Sequence, residues 1–242
     1  MNLFKKLFLI STLILCINNT YAQSGGPPMM TDDPGVVNFH KFEINTSVNS
    51  TVMHHQTEIA VPYIDANYGI ANHFQLKIEF PYNINFQKNE RTTSSFGDAI
   101  IGLKIKFMDE EKHFVSIGTY PQFTFTGNEK GFLLPLLFEK TLGKFLIGED
   151  IGMFWGEGKN QTLSNGILLG YKVSKKTEVM GEYFLEKQIT PSIAFDGYMN
   201  YGFRYALSSH VNLMGSFGTQ VATAFQSDRQ YFFSWLGVQT GF

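Results

Sequence analysis

Residues 74–86 read Phe-Gln-Leu-Lys-Ile-Glu-Phe-Pro-Tyr-Asn-Ile-Asn-Phe. Apolar or aromatic side chains occupy every second position from Phe74 to Phe86, and the positions between them are polar or Pro81. This period of two is typical of a β-strand with one apolar face. Soluble strands usually have about five or six residues, whereas a tilted membrane-crossing strand needs about nine to eleven. The stretch therefore predicts one strand of a transmembrane β-barrel, with a local irregularity at Pro81, which donates no hydrogen bond.

The first residues have the pattern of a secretory signal peptide. Lys5 and Lys6 precede an apolar run at residues 7–17, and Tyr21-Ala22 precede Gln23. The run is shorter than the roughly 20 residues that a transmembrane helix needs. We therefore expect residues 1–22 to be cleaved during export. The single cysteine lies in this segment, so the mature chain would form no disulfide.

The composition favours a membrane barrel over the other exported classes. Without the two signal lysines, 17 basic side chains face 21 acidic ones, which leaves a net charge near −4 and gives no sign of nucleic-acid binding. Aromatic residues make up 15% and charged residues 17% of the chain. No later segment approaches 18 consecutive apolar residues, which excludes helical spans. We predict an all-β, antiparallel, transmembrane barrel of the bacterial outer-membrane type at residues 39–242.

Residues 23–38 are rich in Gly and Pro and cannot form a continuous strand or helix. Two interpretations are open for this segment, a tail in the periplasm or a partial plug folded into the barrel. Its motif is Thr31-Asp32-Asp33-Pro34. We expect the two aspartates to form a turn before the proline, and we do not assign them a catalytic role.

The rest of the chain divides into twelve candidate strands, an even number as single-chain bacterial barrels have. They are residues 39–51, 56–68, 73–86, 96–108, 113–125, 131–141, 144–155, 162–173, 177–187, 196–207, 210–221 and 230–242. Tight connections alternate with longer ones, which predicts that both termini lie on the periplasmic side. Near Glu58, Glu139 and Glu149 neither face of the predicted strand is uniformly apolar or uniformly polar. We therefore expect a bulge or a shifted boundary at these places.

The last strand ends with Phe242, and Leu236 and Val238 lie on the same face. A terminal aromatic residue on an alternating strand resembles the signal that the barrel-assembly machinery of the outer membrane recognises. The expected partners of the protein are thus that machinery, outer-membrane lipid and an unidentified small solute.

Short motifs along nearly the whole mature chain carry a family resemblance. They are Thr31-Asp-Asp-Pro-Gly35, Asp65-Ala-Asn-Tyr-Gly69, residues 74–81, Ser95-Phe-Gly-Asp98 with Gly102-Leu-Lys104, and Gly181-Glu-Tyr183 with Arg204-Tyr205. The chain resembles the outer-membrane family labelled "MetA-pathway of phenol degradation". The resemblance implies passive transport of small, aromatic or hydrophobic compounds, and it supplies no catalytic residue.

Charged residues of both signs are expected on the lumen face. The candidates are Lys77, Glu79, Asp98, Lys104, Lys106, Glu178, Glu182, Glu186 and Arg204. Counting back from the hairpin at residues 87–95 and across the ninth and tenth strands gives the expected neighbours. They are Glu79 with Lys104, Lys77 with Lys106, and Glu178 with Arg204. Either these residues form an ion-pair network that fills a closed barrel, or they line a polar path for a solute.

No arrangement of residues indicates an enzyme or a cofactor. None of the histidines is followed two residues later by Ser, as a lipid hydrolase of the outer membrane would require. His54-His55 has no third ligand at a defined spacing, so we assign no metal site. A structural or surface-recognition barrel is the alternative function, a lipid hydrolase is less favoured, and a soluble β-sandwich is the alternative fold.

Overall fold

The computed structural model describes residues 26–125, 130–190, 194–223 and 230–242. The predicted signal peptide and its cleavage site therefore lie outside the described residues. Within these ranges almost all of the regular structure is β-strand, and one short 3-10 helix lies at Glu157–Lys159. The strand segments are β1 (Phe42–Met53), β2 (Gln56–Ala71), β3 (Phe74–Gln87), β4 (Thr93–Phe96), β5 (Ile100–Met108), β6 (Ser116–Thr119), β7 (Gln122–Thr124), β8 (Gly131–Leu142), β9 (Phe145–Gly156), β10 (Gln161–Lys172), β11 (Thr177–Thr190), β12 (Ala194–Ala206), β13 (Val211–Thr223) and β14 (Gln230–Gly241).

These segments form one closed antiparallel barrel. β4 and β5 both pair with β3 and together make one wall strand, and β6 and β7 make another in the same way. The described segments thus combine into twelve barrel strands, and β1 pairs with β14 to close the wall. The predicted fold class is confirmed, and the soluble β-sandwich is wrong. Among the described residues, no helix is both long and apolar enough to cross a membrane.

Alternation along the strands separates an apolar outside from a polar inside. On β3, Phe74, Ile78 and Phe80 are exposed, whereas Gln75, Lys77, Glu79 and Pro81 are buried. The same pattern recurs on β12, where Tyr201 and Phe203 are exposed and Asn200 and Arg204 are buried. A soluble protein buries its apolar residues, so this inverted distribution is that of a wall with lipid outside and a polar lumen inside.

The two ends of the barrel sequence meet in the wall. The backbone N–H of Phe42 donates to the carbonyl of Phe242 at 2.8 Å, and the N–H of Phe242 donates to the carbonyl of Phe42 at 3.0 Å. Their rings stack with centroids 5.9 Å apart. We refer to this end of the barrel as the terminal end, and to the opposite end, which carries residues 88–92, as the loop end.

The irregularity predicted at Pro81 is present on both sides of β3. On one side, Ala60 pairs with Asn83 but Tyr63 pairs with Pro81, so β2 carries an extra residue there. On the other side the ladder is interrupted between β4 and β5, where the N–H of Gly97 donates to the Pro81 carbonyl at 3.0 Å. The missing N–H of proline therefore coincides with a break in each neighbouring ladder.

The expectations for the three ambiguous glutamates are met at one place. The register shift after Ala60 lies close to Glu58. At Glu139 and Glu149 the pairing of β8 with β9 is regular, so there is no bulge, and the boundaries of β9 are shifted by only one residue from the predicted ones. The faces looked mixed because Glu149 lies on the lipid side, where Asn165 of β10 donates to its Oε1 at 3.4 Å. A polar pair inside the apolar face, with no change of register, produced the ambiguous pattern.

The contrast between long and short connections is weaker than predicted. β1 and β2 are joined by His54 and His55 alone, so this loop-end connection is as tight as the turn at Gly143 and Lys144. At the terminal end, residues 109–115 separate β5 from β6, although a tight turn was predicted. Strands that extend beyond their predicted ends shorten one set of connections, and the late start of β6 lengthens the other.

Candidate functional site

Residues 26–38, which we call the inner segment, lie inside the lumen. The backbone N–H groups of Met30 and Thr31 donate to the two carboxylate oxygens of Glu182 at 2.7 and 2.8 Å. The N–H of Val37 donates to Gln75 Oε1 at 2.7 Å, so the segment bonds to opposite parts of the wall. Thr31 is fully buried. The side chains of the wall thus satisfy the backbone of a segment that forms no strand of its own.

A second set of contacts holds the beginning of the inner segment. Arg204 Nη2 donates to the carbonyl of Pro27 at 3.1 Å, and Glu178 lies 3.6 Å from Nη1 of the same guanidinium. Ser216 Oγ donates to the carbonyl of Pro28 at 2.7 Å. Carbonyls that no regular ladder could satisfy inside the barrel are therefore bonded by β12 and β13.

Glycines on the lumen face give this segment its space. A Cβ built on Gly202 would lie 2.5 Å from Met29 Sδ, and one built on Gly166 would overlap Thr31 Oγ1. Close approach of another chain is a common reason for glycine within a strand. The wall of β10 and β12 is therefore shaped around the inner segment.

The aspartates of the inner segment form ion pairs with the wall. Lys104 Nζ lies 2.7 Å from Asp32 Oδ1 and 3.4 Å from Asp33 Oδ2. Burial on its own would raise the pKa of the Asp32 carboxyl, but Lys104 and Lys77 together lower it, from 3.8 to about 2. The predicted turn is also present, since the N–H of Asp33 donates to Asp32 Oδ1 and that of Gly35 donates to Asp33 Oδ1.

Lys77 is the centre of a buried network beside this ion pair. Its Nζ lies 2.9 Å from Glu79 Oε1, 3.7 Å from Asp65 Oδ2 and 3.8 Å from Asp32 Oδ2. The hydroxyls of Tyr63 and Tyr120 donate to Glu79, and the Tyr120 ring lies 4.9 Å from the ammonium. One buried cation thus neutralises carboxylates from two strands and from the inner segment, so none of these carboxylates is buried without an opposite charge nearby.

Further polar residues complete the inside of β2. Asn67 Nδ2 donates to Asp65 Oδ1 at 2.9 Å, and Asn45 Nδ2 donates to Asp65 Oδ2 at 3.0 Å. Gln75 Nε2 donates in turn to Asn67 Oδ1 at 2.5 Å. The hydrogen bonds therefore run without interruption from the inner segment, through Gln75, to the Lys77 network.

Two cavities occupy the lumen on either side of this layer. The cavity at the terminal end has a volume of about 440 Å³ and reaches Phe42, Asp109 and His210. The cavity toward the loop end has a volume of about 260 Å³. Asp32, Asp65 and Lys77, together with Pro27, line both cavities. These three charged residues, which we call the charged layer, therefore separate the two halves of the lumen.

The register of β3 with β5 corrects two of the expected neighbours. Lys104 lies opposite Gln75, and Lys77 lies opposite Gly102, so neither faces its expected partner. The error has a geometric cause, because the chain resumes pairing at Thr93, earlier than predicted, and this moves β5 along β3. Lys77 instead pairs with Glu79 on its own strand. Glu178 does face Arg204, as predicted.

The remaining candidates are spread along the lumen. Lys106 bonds Asp109 at 2.6 Å near the terminal end, and the hydrogen bond and the charge of Lys106 lower the pKa of the Asp109 carboxyl. Asp98 and Glu186 are half-buried and lie away from the charged layer. Glu186 faces Asp196 across β11 and β12. The candidate set therefore mixes residues that hold the inner segment with residues at the ends of the barrel.

Several residues of the site were missed by the sequence analysis. Tyr63 and Asp65 alternate with the apolar residues Ile64 and Ala66 on β2, so period two alone could have placed them on the lumen face. Tyr120 could not be found this way, because it lies in the break between β6 and β7. Among the described residues, no group of three or more metal-ligating side chains is close enough to hold an ion, and His54 contacts only His55 and Tyr231 through its ring.

The fold and lumen define a transmembrane barrel of the outer-membrane type, and solved structures of that class are similar to it. A COG4313 outer membrane channel from Pseudomonas putida F1 superposes with a TM-score of 0.70 at 12% identity, over 90% of this chain and 100% of that one. The NanC porin superposes with a TM-score of 0.58 at 9% identity, over 81% of this chain and 98% of the porin. The KdgM porin superposes with a TM-score of 0.52 at 14% identity, over 82% of this chain and 99% of the porin. Neither a family model nor a curated protein matches the chain.

Proposed function

We propose that this protein is a passive channel of the outer membrane for small solutes, narrowed by the inner segment. The observation that carries the proposal is the position of the charged layer between two cavities of about 440 and 260 Å³. A closed wall surrounds both cavities, so a solute that passes this layer would cross the apolar band without meeting lipid.

The similar structures support this proposal at the level of the class. They are an outer membrane channel and two porins, and each is covered almost completely by the match. Export through cleavage of residues 1–22 and assembly through the strand that ends at Phe242 would deliver the chain to the same membrane. We propose both steps on the sequence pattern alone.

The narrow lumen sets the size of the solute. Twelve strands are more than the eight that side chains can fill, and fewer than the sixteen or more of open porins. The smaller cavity, of about 260 Å³, fits molecules with a single ring or a few carbons. The resemblance to the "MetA-pathway of phenol degradation" family is the basis for including aromatic compounds among them.

Conductance of the refolded protein in planar bilayers tests the proposal. We expect a small single-channel conductance for the full mature chain and a larger one after deletion of residues 24–38. Asp32→Asn with Asp33→Asn is the milder variant, because it removes the charges that bind Lys104 and keeps the segment. Asp109→Asn, at the barrel mouth, is the matched control. No conductance in the native protein or in either variant would exclude a channel.

One observation favours a second function, a closed barrel with a structural role. The charged layer is buried and extensively hydrogen-bonded, and the Tyr120 beside it is only 1% exposed. Such a network is compatible with either function, because it can stabilise a closed, filled lumen or narrow an open one. Swelling of liposomes with sugars and single-ring aromatics distinguishes the two functions, since a structural barrel admits none of them even after residues 24–38 are removed.

A further inference from the structure

The cavity toward the loop end contains a carboxylate that the network around Lys77 does not neutralise. Asp150 on β9 is 7% exposed and lines this cavity. Its Oδ1 has no hydrogen-bond partner among the described residues. A buried, unpaired carboxylate oxygen is costly, so such an atom in a native structure requires an explanation.

The unpaired oxygen lies close to other residues that line the cavity. A Cβ built on Gly152 would lie 3.7 Å from Asp150 Oδ1, and it would also touch Ser164 and Leu133, which line the same cavity. Asp32 of the inner segment lines the same cavity as Asp150. The Asp150 carboxylate therefore lies in the wall of a cavity that the inner segment also lines.

The other charged groups of the cavity make it acidic. Asp32, Asp65 and Glu79 also line it, and all three are bound to Lys77, the one cation among the described lining residues. Lys104 adds a second ammonium, but it bonds Asp32 and Asp33 and does not line this cavity. Asp150 is thus the lining carboxylate without a cation of its own.

Aromatic rings form another part of the cavity wall. Tyr63, Tyr120, Phe184 and Trp235 line it, and the thioethers of Met29 and Met30 lie beside them. The faces of aromatic rings attract cations, most strongly where water is excluded. An ammonium group placed between such rings and a carboxylate satisfies the oxygen and gains this attraction as well.

We propose that this cavity binds a small primary amine with an apolar or aromatic body, with its ammonium group donating to Asp150 Oδ1. The proposal rests on the proposed channel function and names the solute class for it. The volume of about 260 Å³ accepts one ring with a short chain. Neutral and anionic molecules of the same shape lack the charge that the acidic cavity requires.

Calorimetry on the refolded protein in detergent tests the binding directly. The probes are phenethylamine, 2-phenylethanol and phenylacetate, which share a ring and differ in charge. We expect phenethylamine to bind at least tenfold more tightly than the alcohol and phenylacetate to give no heat. Asp150→Asn should weaken phenethylamine at least tenfold and leave the alcohol unchanged.

The neighbouring residue supplies the matched control. Glu149→Gln removes the same charge from the same strand on the lipid side, and it should leave the affinity for phenethylamine unchanged. Trp235→Leu keeps Asp150 and removes a ring, so it should weaken both the amine and the alcohol. This second variant keeps the test decisive if Asp150→Asn does not refold.

The outcomes separate this inference from the channel function. Equal affinity for the three probes, or a loss of binding in Glu149→Gln that matches that of Asp150→Asn, would overturn the amine site while conductance stays as measured. Binding of the amine without any conductance would instead refute the channel. If phenethylamine does not bind at all, the site is excluded even where ions pass.

Discussion

Lys104 Nζ lies 2.7 Å from Asp32 Oδ1, although 72 positions separate the two residues in the chain. The pair joins the inner segment to β5, and both side chains are largely buried. Because Lys104 also contacts Asp33, its ammonium neutralises both aspartates of the motif. The stability of the fold and the width of the lumen thus depend on the same contact.

Lys104→Met should therefore lower the free energy of unfolding and raise the conductance. Removal of one partner from a buried ion pair typically costs about 3–5 kcal/mol, because the other charge stays buried. Lys106→Met, which breaks the more exposed pair with Asp109, should cost about 0–1 kcal/mol. Urea titration in lipid vesicles measures both. If Lys104→Met combined with Asp32→Asn is no more stable than Lys104→Met alone, the unpaired aspartate is not the cause.

Acidification should release the inner segment at a pH set by Asp32. The folded protein lowers the pKa of this carboxyl from 3.8 to about 2, so its ion pairs stabilise the fold fully above about pH 4. This contribution is lost as the pH falls through about 2. We expect the conductance to rise across that window in planar bilayers. In Asp32→Asn the rise should be smaller, and an identical pH profile in both proteins would contradict the assignment.

Gly166→Ala should displace the inner segment without removing any charge. The added methyl group would occupy the position of Thr31 Oγ1 and touch the Phe184 ring. Gly181→Ala is the matched control, because a Cβ at that position, on the lipid side of β11, would meet nothing closer than 3.6 Å. Limited proteolysis should cleave within residues 26–38 faster in Gly166→Ala alone. Equal rates in the two variants would show that the space at Gly166 is not needed.

Glu149→Leu should stabilise the barrel. The side chain lies on the lipid side, between Phe138 and Ile167 of the neighbouring strands. A Glu on the lipid side destabilises a barrel by less than the roughly 2–4 kcal/mol measured for Arg or Lys. We therefore expect the substitution to raise the free energy of unfolding by about 1 kcal/mol. Asn165 keeps its bond to the Asp150 carbonyl at 3.2 Å and is not left unpaired. If the free energy of unfolding measured in vesicles is unchanged or lower in this variant, Glu149 does not face lipid.

The barrel wall could be predicted from the sequence because the alternation of side chains between the two faces of a strand is a local pattern. Period two along residues 74–86 placed Lys77 and Glu79 inside and Phe80 outside, and the structure agrees. The pairing of Glu178 with Arg204 followed from counting residues across the two neighbouring strands, β11 and β12, which pair in regular register. Local counting failed only where the chain is irregular, as between β3 and β5.

The arrangement of the lumen could not be predicted in the same way. Whether Asp32 meets Lys104 or solvent depends on where a segment without regular structure lies, and no periodicity encodes that. The contacts of Met30 and Thr31 with Glu182 span more than 150 positions. Asp150 gave no sequence signal either, because the proposed site depends on a carboxylate oxygen that has no hydrogen-bond partner in the part of the chain that the structure describes.

The order of the chain has a consequence for how the barrel is built. β1 and β14 pair from Glu43 and Gly241 to Met53 and Gln230, so the ring cannot close before the final residues are in place. The inner segment precedes β1 in the chain, so it is already present when β1 and β14 pair. A segment at the other end of the chain would have to be threaded into a finished ring, whereas here the wall can assemble around its own filling.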